Sequence, residues 1–123
     1  MSTIILSIHP RYVKEIFKGT KHFELRKNFP KKIINKILIY ETAPISKIVG
    51  EITVTQITMD KDTFFLEHQK VIGVTKKEYD TYYQTVKNDN ISAYKIHEYI
   101  RYKKEISISQ YGFKIGPQNF YYI

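Results

Sequence analysis

Apolar and polar positions divide the start of the chain into short segments, each closed by a turn residue. The β-rich apolar run from Thr3 to Ile8 ends at His9-Pro10, which predicts a short buried strand. Pro10 suits the first turn of a helix, because its missing N–H is not needed there. Apolar residues at helical spacing continue this helix over residues 11–18, and Gly19 predicts its end. The chain is therefore predicted to open with a strand, a helix and a glycine turn.

Extended segments dominate the part that follows. The patterns predict strands over residues 21–26, 36–41 and 47–57, separated by a loop in which Pro30 excludes a regular strand interior. Apolar positions on the two sides of Gly50 do not keep one alternation, which predicts a β-bulge at this glycine.

Two helices are predicted in the middle of the chain. Residues 60–69 have an apolar side that indicates a short helix, and Thr75-Lys76-Lys77-Glu78 is a capping-box sequence that predicts a second helix over residues 76–86. A turn is expected at residues 87–90, a strand over 91–102 and a last short strand over 120–123.

These elements predict one domain over residues 1–123, with a helical insertion at about residues 60–87. The predicted fold class is α+β: a small, mainly antiparallel sheet, closed or half-closed into a β-barrel and decorated by about three helices.

Charge is concentrated in one part of the sequence. The whole chain has a formal net charge of +8, and the segment from Lys18 to Lys36 holds seven basic residues against the single acid Glu24, a net of +6. Such a cluster is a candidate binding surface for a polyanion, although a basic run also serves solubility alone.

A narrower candidate site lies inside this segment. In an extended chain, Phe23 and Leu25 face one side, and Glu24 and Arg26 face the other. Arg26 can grip a phosphate or a base edge, Lys21 supplies a charge or a desolvated amine, and Glu24 can accept from an exocyclic amine or act as an acid or base. An ion-pair network that closes the mouth of the barrel is the alternative interpretation.

Further contacts to nucleic acid are predicted around this trio. The lysines interpreted as phosphate contacts are Lys27, Lys31, Lys32, Lys36 and Lys47. Tyr40 is a candidate for base stacking and Gln118 for hydrogen bonding to a base edge, with a core tyrosine and a turn glutamine as the alternatives.

Several function classes are excluded by what the sequence lacks. The chain has no cysteine, and no two of its four histidines have metal-ligand spacing, so neither a metal site nor a cofactor is predicted. Its glycines occur singly, which argues against a P-loop or a dinucleotide fingerprint. The N-terminal apolar run is too short for a signal peptide or a membrane span, so a cytoplasmic protein without membrane contact is expected.

The order of motifs resembles the ASCH domain, a member of the PUA-like group of small β-barrels. The most specific element is Gly19-x-Lys21-x-x-Glu24-x-Arg26. It is flanked in the same order by further motifs: residues 5–10 (ILSIHP), Ile39-Tyr40 with Pro44, Val49-Gly50-Glu51 and Pro117-Gln118-Asn119-Phe120. The resemblance implies RNA binding, often linked to translation or to transcriptional coactivation, and a cleft lined by the signature residues.

Two branches of this family are enzymes. One is an amidohydrolase of an acetylated cytidine that uses a lysine, a threonine three positions later and a more distant glutamate. The other is a ribonuclease that uses a lysine of the signature. Lys21 matches the lysine, but Glu24 stands at the threonine position, and Asn119 stands where related chains commonly have a serine.

The leading hypothesis is a PUA-like module that binds RNA, or a modified nucleotide within it, through a basic cleft. DNA is a further possible ligand, and the oligomeric state is left open. One alternative is a nucleic-acid-processing enzyme, a ribonuclease or an N-acyl nucleoside amidohydrolase, in which Lys21 and Glu24 share proton transfer. Another is a regulatory module that binds a protein.

Overall fold

The computed structural model describes residues 1–86 and 89–123. Its elements are β1 (Ser2–Ile8), α1 (Pro10–Phe17), β2 (Phe23–Leu25), β3 (Ile34–Glu41), β4 (Lys47–Asp60), α2 (Lys61–His68), α3 (Lys76–Tyr82), β5 (Asn90–Ile106), a 3-10 helix (Ile108–Tyr111) and β6 (Phe120–Tyr122). The strands form a sheet in the order β2-β5-β4-β3-β1-β6. Neighbours are antiparallel except β1 and β3, which are parallel. The predicted α+β class is confirmed.

The predicted barrel is not confirmed, because the sheet is not closed. Strands β2 and β6 are its two edges, and each spans only three residues. Such short edge strands offer too few backbone groups for a closing ladder, and Pro30 lies in the segment that follows β2.

Local signals set the path from β1 into the candidate site. The His9 ring accepts a hydrogen bond from the Arg11 backbone N–H at 3.1 Å and caps α1, with Pro10 in its first turn. Gly19 adopts φ +77°, a left-handed conformation that ends the helix as predicted. The chain then turns directly into Lys21 and β2.

The predicted bulge at Gly50 is confirmed. The register of β4 shifts between Ile48 and Gly50 against β5, and β3 has a matching irregularity at Ile39/Tyr40. A Cβ atom at position 50 would lie 2.4 Å from the Ile100 carbonyl oxygen and 2.5 Å from the Phe17 ring. Glycine is required here because a backbone and an aromatic ring both approach it closely.

Two helices lie between β4 and β5, near the predicted positions. Thr75 and Glu78 form the predicted capping box: the Thr75 oxygen accepts from the Glu78 N–H at 3.2 Å, and the Glu78 carboxylate accepts from the Thr75 N–H at 2.9 Å. Helix α3 ends at Tyr82, earlier than predicted, where Thr81 and the following tyrosine favour a helix only weakly. The turn predicted over residues 87–90 falls partly outside the described residues.

The apolar core has two main parts. One is formed by β1, β3, β4 and α1, with Ile4, Ile16 and Ile37 fully buried. The other lies under α2 and α3, where Phe23 and Leu25 of β2 pack with Phe64 and Tyr79. Strand β2 therefore turns its apolar residues towards the inserted helices. No helix in the described part of the chain is long and apolar enough to cross a membrane.

Candidate functional site

Lys21 is a buried amine at the end of the Gly19 turn. Its side chain is 2% exposed, and Nζ donates to the Ile72 carbonyl oxygen at 2.6 Å. The nearer Glu24 oxygen lies 3.9 Å from Nζ. Burial lowers the pKa of Lys21 below its usual 10.5, while the carboxylates of Glu24 and Glu15 act in the opposite direction. The site thus holds a desolvated amine with one strong hydrogen bond to a neutral partner.

Glu24 is a buried carboxylate in the middle of β2. Its side chain is 5% exposed, and Oε2 accepts from Arg26 Nε at 3.1 Å. Backbone pairing with Tyr94 of β5 fixes the orientation of this residue, while the side chains of Phe23 and Leu25 pack in the core under α2 and α3. The predicted alternation over residues 21–26 holds for Glu24 against Phe23, but Lys21, which precedes β2, and Leu25 line the same cavity as Glu24.

Arg26 joins β2 to the opposite side of the sheet. In addition to Glu24, the guanidinium donates to Asn119 Oδ1 at 3.2 Å and to the Ser7 carbonyl oxygen. Ser7 belongs to β1, and Asn119 directly precedes β6. Three of the five N–H donors of an arginine are therefore engaged within the protein, which leaves two for a ligand.

These side chains line a cavity of about 240 Å³. Its lining residues are Ser7, His9, Tyr12, Lys21, Glu24, Leu25, Arg26, Val74 and Tyr82. Lys21 Nζ lies 5.0 Å from the centroid of the Tyr12 ring, and the Tyr82 hydroxyl donates to the Leu25 carbonyl oxygen at 3.3 Å. The cavity therefore combines two aromatic rings with a buried amine, a buried carboxylate and a guanidinium.

The ASCH domain family model matches residues 6–115. The chain belongs to the ASCH domain family. Lys21, Glu24 and Arg26 are the signature residues on which the resemblance in the sequence rests, and all three line the cavity.

Solved structures share this ASCH fold. The crystal structure of ASCH from Zymomonas mobilis matches with a TM-score of 0.83 and 19% identity, over 99% of this chain and 87% of that one. The S128A mutant of the same protein matches with the same TM-score and identity, over 99% of this chain and 88% of the other.

Two curated relatives come from Ureaplasma parvum. The protein named large ribosomal subunit protein uL22 is 27% identical over 123 residues, which are 98% of this chain and 39% of the relative. The protein named ATP synthase subunit alpha is 27% identical over 124 residues, 98% of this chain and 15% of the relative. The chain thus spans less than half the length of these relatives.

Some of the residues predicted to contact phosphates or base edges lie beside the ASCH signature. Lys27 and Gln118 line a second cavity of about 260 Å³ that shares Arg26 and Tyr82 with the first. Lys31 and Lys32 are exposed in the loop between β2 and β3, which also contains Lys27. The Lys31 backbone N–H donates to the Tyr122 hydroxyl at 3.1 Å, and Lys32 Nζ lies 5.0 Å from the Tyr122 ring centroid.

Three other residues that were predicted to contact nucleic acid do not line the cavity. Lys36 forms an ion pair with Glu51 at 3.2 Å on the sheet, and Lys47 lines a different depression together with Arg101. Tyr40 is 9% exposed and packs in the core with its ring against Gly116, so it is not among the residues that line the cavity. For Tyr40, the core alternative agrees with the structure.

The aromatic walls of the cavity have no distinctive signal in the sequence. Tyr12 lies in α1 and Tyr82 ends α3, where the helical spacing of apolar residues indicates only a packing face, and Val74 lies in the connection between α2 and α3. A helical pattern cannot distinguish a tyrosine that packs in the core from one that borders a cavity. Within the described residues, no group of three or more His, Asp or Glu side chains is placed to hold a metal ion.

Proposed function

We propose that this ASCH domain binds RNA by holding one nucleobase, ordinary or modified, in the cavity between Tyr12 and Tyr82. The observation that carries the proposal is the set of buried polar groups, Lys21 and Glu24, in a cavity with aromatic walls. Single-stranded RNA is commonly recognised by stacking of unstacked bases on aromatic rings, with hydrogen bonds to the base edges. A cavity of about 240 Å³ is smaller than most drug-sized pockets, so it suits a single base or nucleoside.

The polar groups of the cavity suit the edge of a base. The Glu24 carboxylate accepts hydrogen bonds and suits an exocyclic amine, whereas the Lys21 ammonium donates and suits a base carbonyl. Of the three Lys21 donors, one is directed to the Ile72 carbonyl oxygen. Because both side chains are buried, a ligand that fails to pair with them leaves desolvated groups without partners, and this cost provides selectivity.

Surface charge supports an RNA ligand. Lys27, Lys31 and Lys32 are exposed in the loop that follows Arg26, and Lys27 Nζ lies 4.9 Å from the Tyr82 ring centroid. Lysines in this position suit phosphates on either side of a captured nucleotide. A role in translation is proposed from the RNA binding that the PUA-like resemblance implies and from the relative named as a ribosomal protein.

Arg26 favours binding over the two enzymatic activities of the family. The resemblance implies hydroxyl residues at positions 24 and 119 in those branches, but this chain has Glu24 and Asn119. Both of these side chains accept hydrogen bonds from the same guanidinium, at 3.1 and 3.2 Å. The two departures from the family pattern therefore act together to hold Arg26, and neither supplies a nucleophilic hydroxyl.

One observation favours an enzyme as a second candidate. Burial lowers the pKa of Lys21, and a desolvated lysine near a carboxylate is a recognised arrangement for a general base. In this alternative, Lys21 and Glu24 exchange a proton with the substrate during hydrolysis of a nucleotide or an N-acyl nucleoside.

A titration of the protein with single-stranded RNA, duplex RNA and duplex DNA at two salt concentrations tests the proposal. We expect single-stranded RNA to bind most tightly, with affinity that falls as salt rises. Glu24→Gln and Lys21→Met should each weaken binding about 10- to 100-fold, since a buried hydrogen bond to a charged group contributes roughly 1.5–3 kcal/mol. Lys76→Gln, which removes an exposed lysine paired with Asp80, is the control and should bind like the unmodified protein.

The same samples decide between binding and catalysis. Intact RNA after incubation supports the binding function, whereas cleavage that Lys21→Met abolishes supports the enzyme. Absence of binding to all three nucleic acids and to free nucleosides would overturn both.

A further inference from the structure

Helix α1 separates the cavity from a second depression on its other side. Tyr12 lines the cavity, whereas Lys14, Phe17 and Lys18 line a groove of about 410 Å³. Arg101 of β5 lies in the same groove, with its guanidinium carbon 5.5 Å from the Phe17 ring centroid. The groove thus has cations on both walls and an aromatic ring between them.

A further depression of about 410 Å³ continues from this groove. Glu41 and Arg101 line both depressions. The further depression is also lined by Lys47 of β4 and by Lys103 and Lys104 at the irregular end of β5. We call the combined depression the α1–β5 groove, defined by its cations Lys14, Lys18, Lys47, Arg101, Lys103 and Lys104. Its acids are Glu41 and Glu105, so six cations minus two acids give a local charge of +4.

The cations of the α1–β5 groove have no ion-pair partners within the described part of the chain. None of the six lies within 4.0 Å of a carboxylate oxygen there, although three surface cations elsewhere do: Arg11 with Glu78, Lys36 with Glu51 and Lys76 with Asp80. Glu41 and Glu105 offset only part of their charge, and the remaining local excess of positive charge is the electrostatic property of a surface that binds an anionic chain.

The cavity and the groove both reach the start of α1. His9 lines the cavity, and the next residue, Pro10, lines the α1–β5 groove. A chain that places one residue in the cavity can therefore pass the start of α1 and continue among Lys14, Lys18 and Arg101. The lysines of the loop after β2 lie in a different place, near Tyr82 and Tyr122.

On the basis of the proposed function, we infer that single-stranded RNA leaves the cavity past His9 and Pro10 and is held by its phosphates along the α1–β5 groove. An excess of cations beside an aromatic ring is the combination that binds single strands without sequence preference, and Phe17 supplies the ring. An unpaired strand is required, because a base held in the cavity must first be unstacked. A base-sized cavity on the other side of the start of α1 favours RNA over an acidic protein segment.

Three variants with equal charge change test this path. The groove variant carries Lys14→Gln, Lys18→Gln and Lys103→Gln, and the loop variant carries Lys27→Gln, Lys31→Gln and Lys32→Gln. The charge control carries Lys70→Gln, Lys77→Gln and Lys114→Gln, at exposed lysines outside both groups. The probes are an oligouridylate of about 12 nucleotides, a length within the range of known single-strand sites, and uridine monophosphate.

The groove variant should bind the oligouridylate about 100-fold more weakly than the charge control at about 0.1 M salt. Each phosphate contact to a single strand contributes about 0.7 to the slope of log K against log salt, so the slope should also become shallower by about 2. Binding of the monophosphate should be equal in the groove variant and the charge control.

The outcomes separate the path from the proposed function. The path is overturned if the groove variant and the charge control bind the oligouridylate equally, or if polyglutamate competes as well as RNA at equal charge. If neither probe binds the unmodified protein, the proposed function itself fails. If only the loop variant loses affinity, the function stands and the RNA follows the β2–β3 loop instead.

Discussion

Gly73 provides a sharp test of how tightly the site is packed around Lys21. It lies in the connection between α2 and α3 with φ +77°, directly after the carbonyl that binds the Lys21 amine. A Cβ atom at this position would lie 2.4 Å from Glu15 Oε2, 3.2 Å from Lys21 Cδ and 3.4 Å from Lys21 Nζ. Gly73→Ala therefore combines an unfavourable backbone conformation with a steric conflict inside the site.

Gly112 is a matched control for the backbone effect. It has φ +85°, and a Cβ atom there would meet nothing within 4 Å. Gly112→Ala should cost about 1–2 kcal/mol, the usual penalty for an L-residue in the left-handed region. Gly73→Ala should cost about 2–4 kcal/mol, since insertion of a methyl group into a packed site adds roughly 1–2 kcal/mol even where the Glu15 side chain can rotate away.

Urea denaturation of four proteins measures the difference: the unmodified protein, each alanine variant, and Gly73→Ala combined with Glu15→Ala. The double variant removes the oxygen in conflict and should recover most of the steric part of the loss. Gly73→Ala should also weaken nucleotide binding, because it displaces Lys21, whereas Gly112→Ala should leave binding unchanged. Equal losses in the two single variants, with no recovery in the double variant, would show that Gly73 is not a close contact of the site.

Two further predictions concern buried groups. Tyr94 is 1% exposed, and its hydroxyl has no hydrogen-bond partner among residues 1–86 and 89–123, so Tyr94→Phe should leave the free energy of unfolding unchanged or raise it by about 1 kcal/mol. Tyr79→Phe should lower the free energy of unfolding by about 1 kcal/mol, because the Tyr79 hydroxyl donates to the Lys61 carbonyl oxygen at 2.9 Å. A larger loss of stability from Tyr94→Phe than from Tyr79→Phe in parallel thermal melts would contradict this reasoning. The pKa of Lys21 is lowered in the folded state, so the unfolded chain binds this proton more tightly than the folded protein does. The free energy of unfolding of the unmodified protein should therefore rise, relative to that of Lys21→Met, as the pH rises towards 10.5. Denaturation of both proteins at neutral pH and at about pH 10 measures this change, and a constant difference between them would disprove it.

The sequence predicted well those features that depend on neighbouring residues. His9-Pro10, Gly19 and the Thr75 capping box act within a few residues of chain, so their patterns indicated the starts and ends of helices correctly. The alternation in β2 placed Glu24 opposite Phe23 for the same reason, because successive side chains of a strand point to opposite faces.

Features that depend on assembly of distant segments were not predictable in this way. Tyr12 and Tyr82 meet at the cavity only because α1 and α3 pack on either side of it. Tyr40 packs in a core cluster with Leu38 of the same strand and Ile108 of the 3-10 helix, and the contact with this distant segment is not visible in the pattern of β3. The cations of the α1–β5 groove come from α1 and the residue after it, from β4 and from β5, and only Arg101, Lys103 and Lys104 are close together in the sequence.

The open sheet and the cavity have the same structural cause. Paired strands lie about 4.8 Å apart, which leaves no room for a ligand between them. Ser7 of β1 and Glu24 of β2 both line the cavity, and the link between these strands is the Arg26 side chain, with its bonds to Glu24, Ser7 and Asn119. Had a backbone ladder closed the barrel at this point, its strands would have occupied the space in which a base is proposed to bind. The failure of the barrel to close is therefore what creates the candidate site, and Arg26 stabilises the opening without filling it.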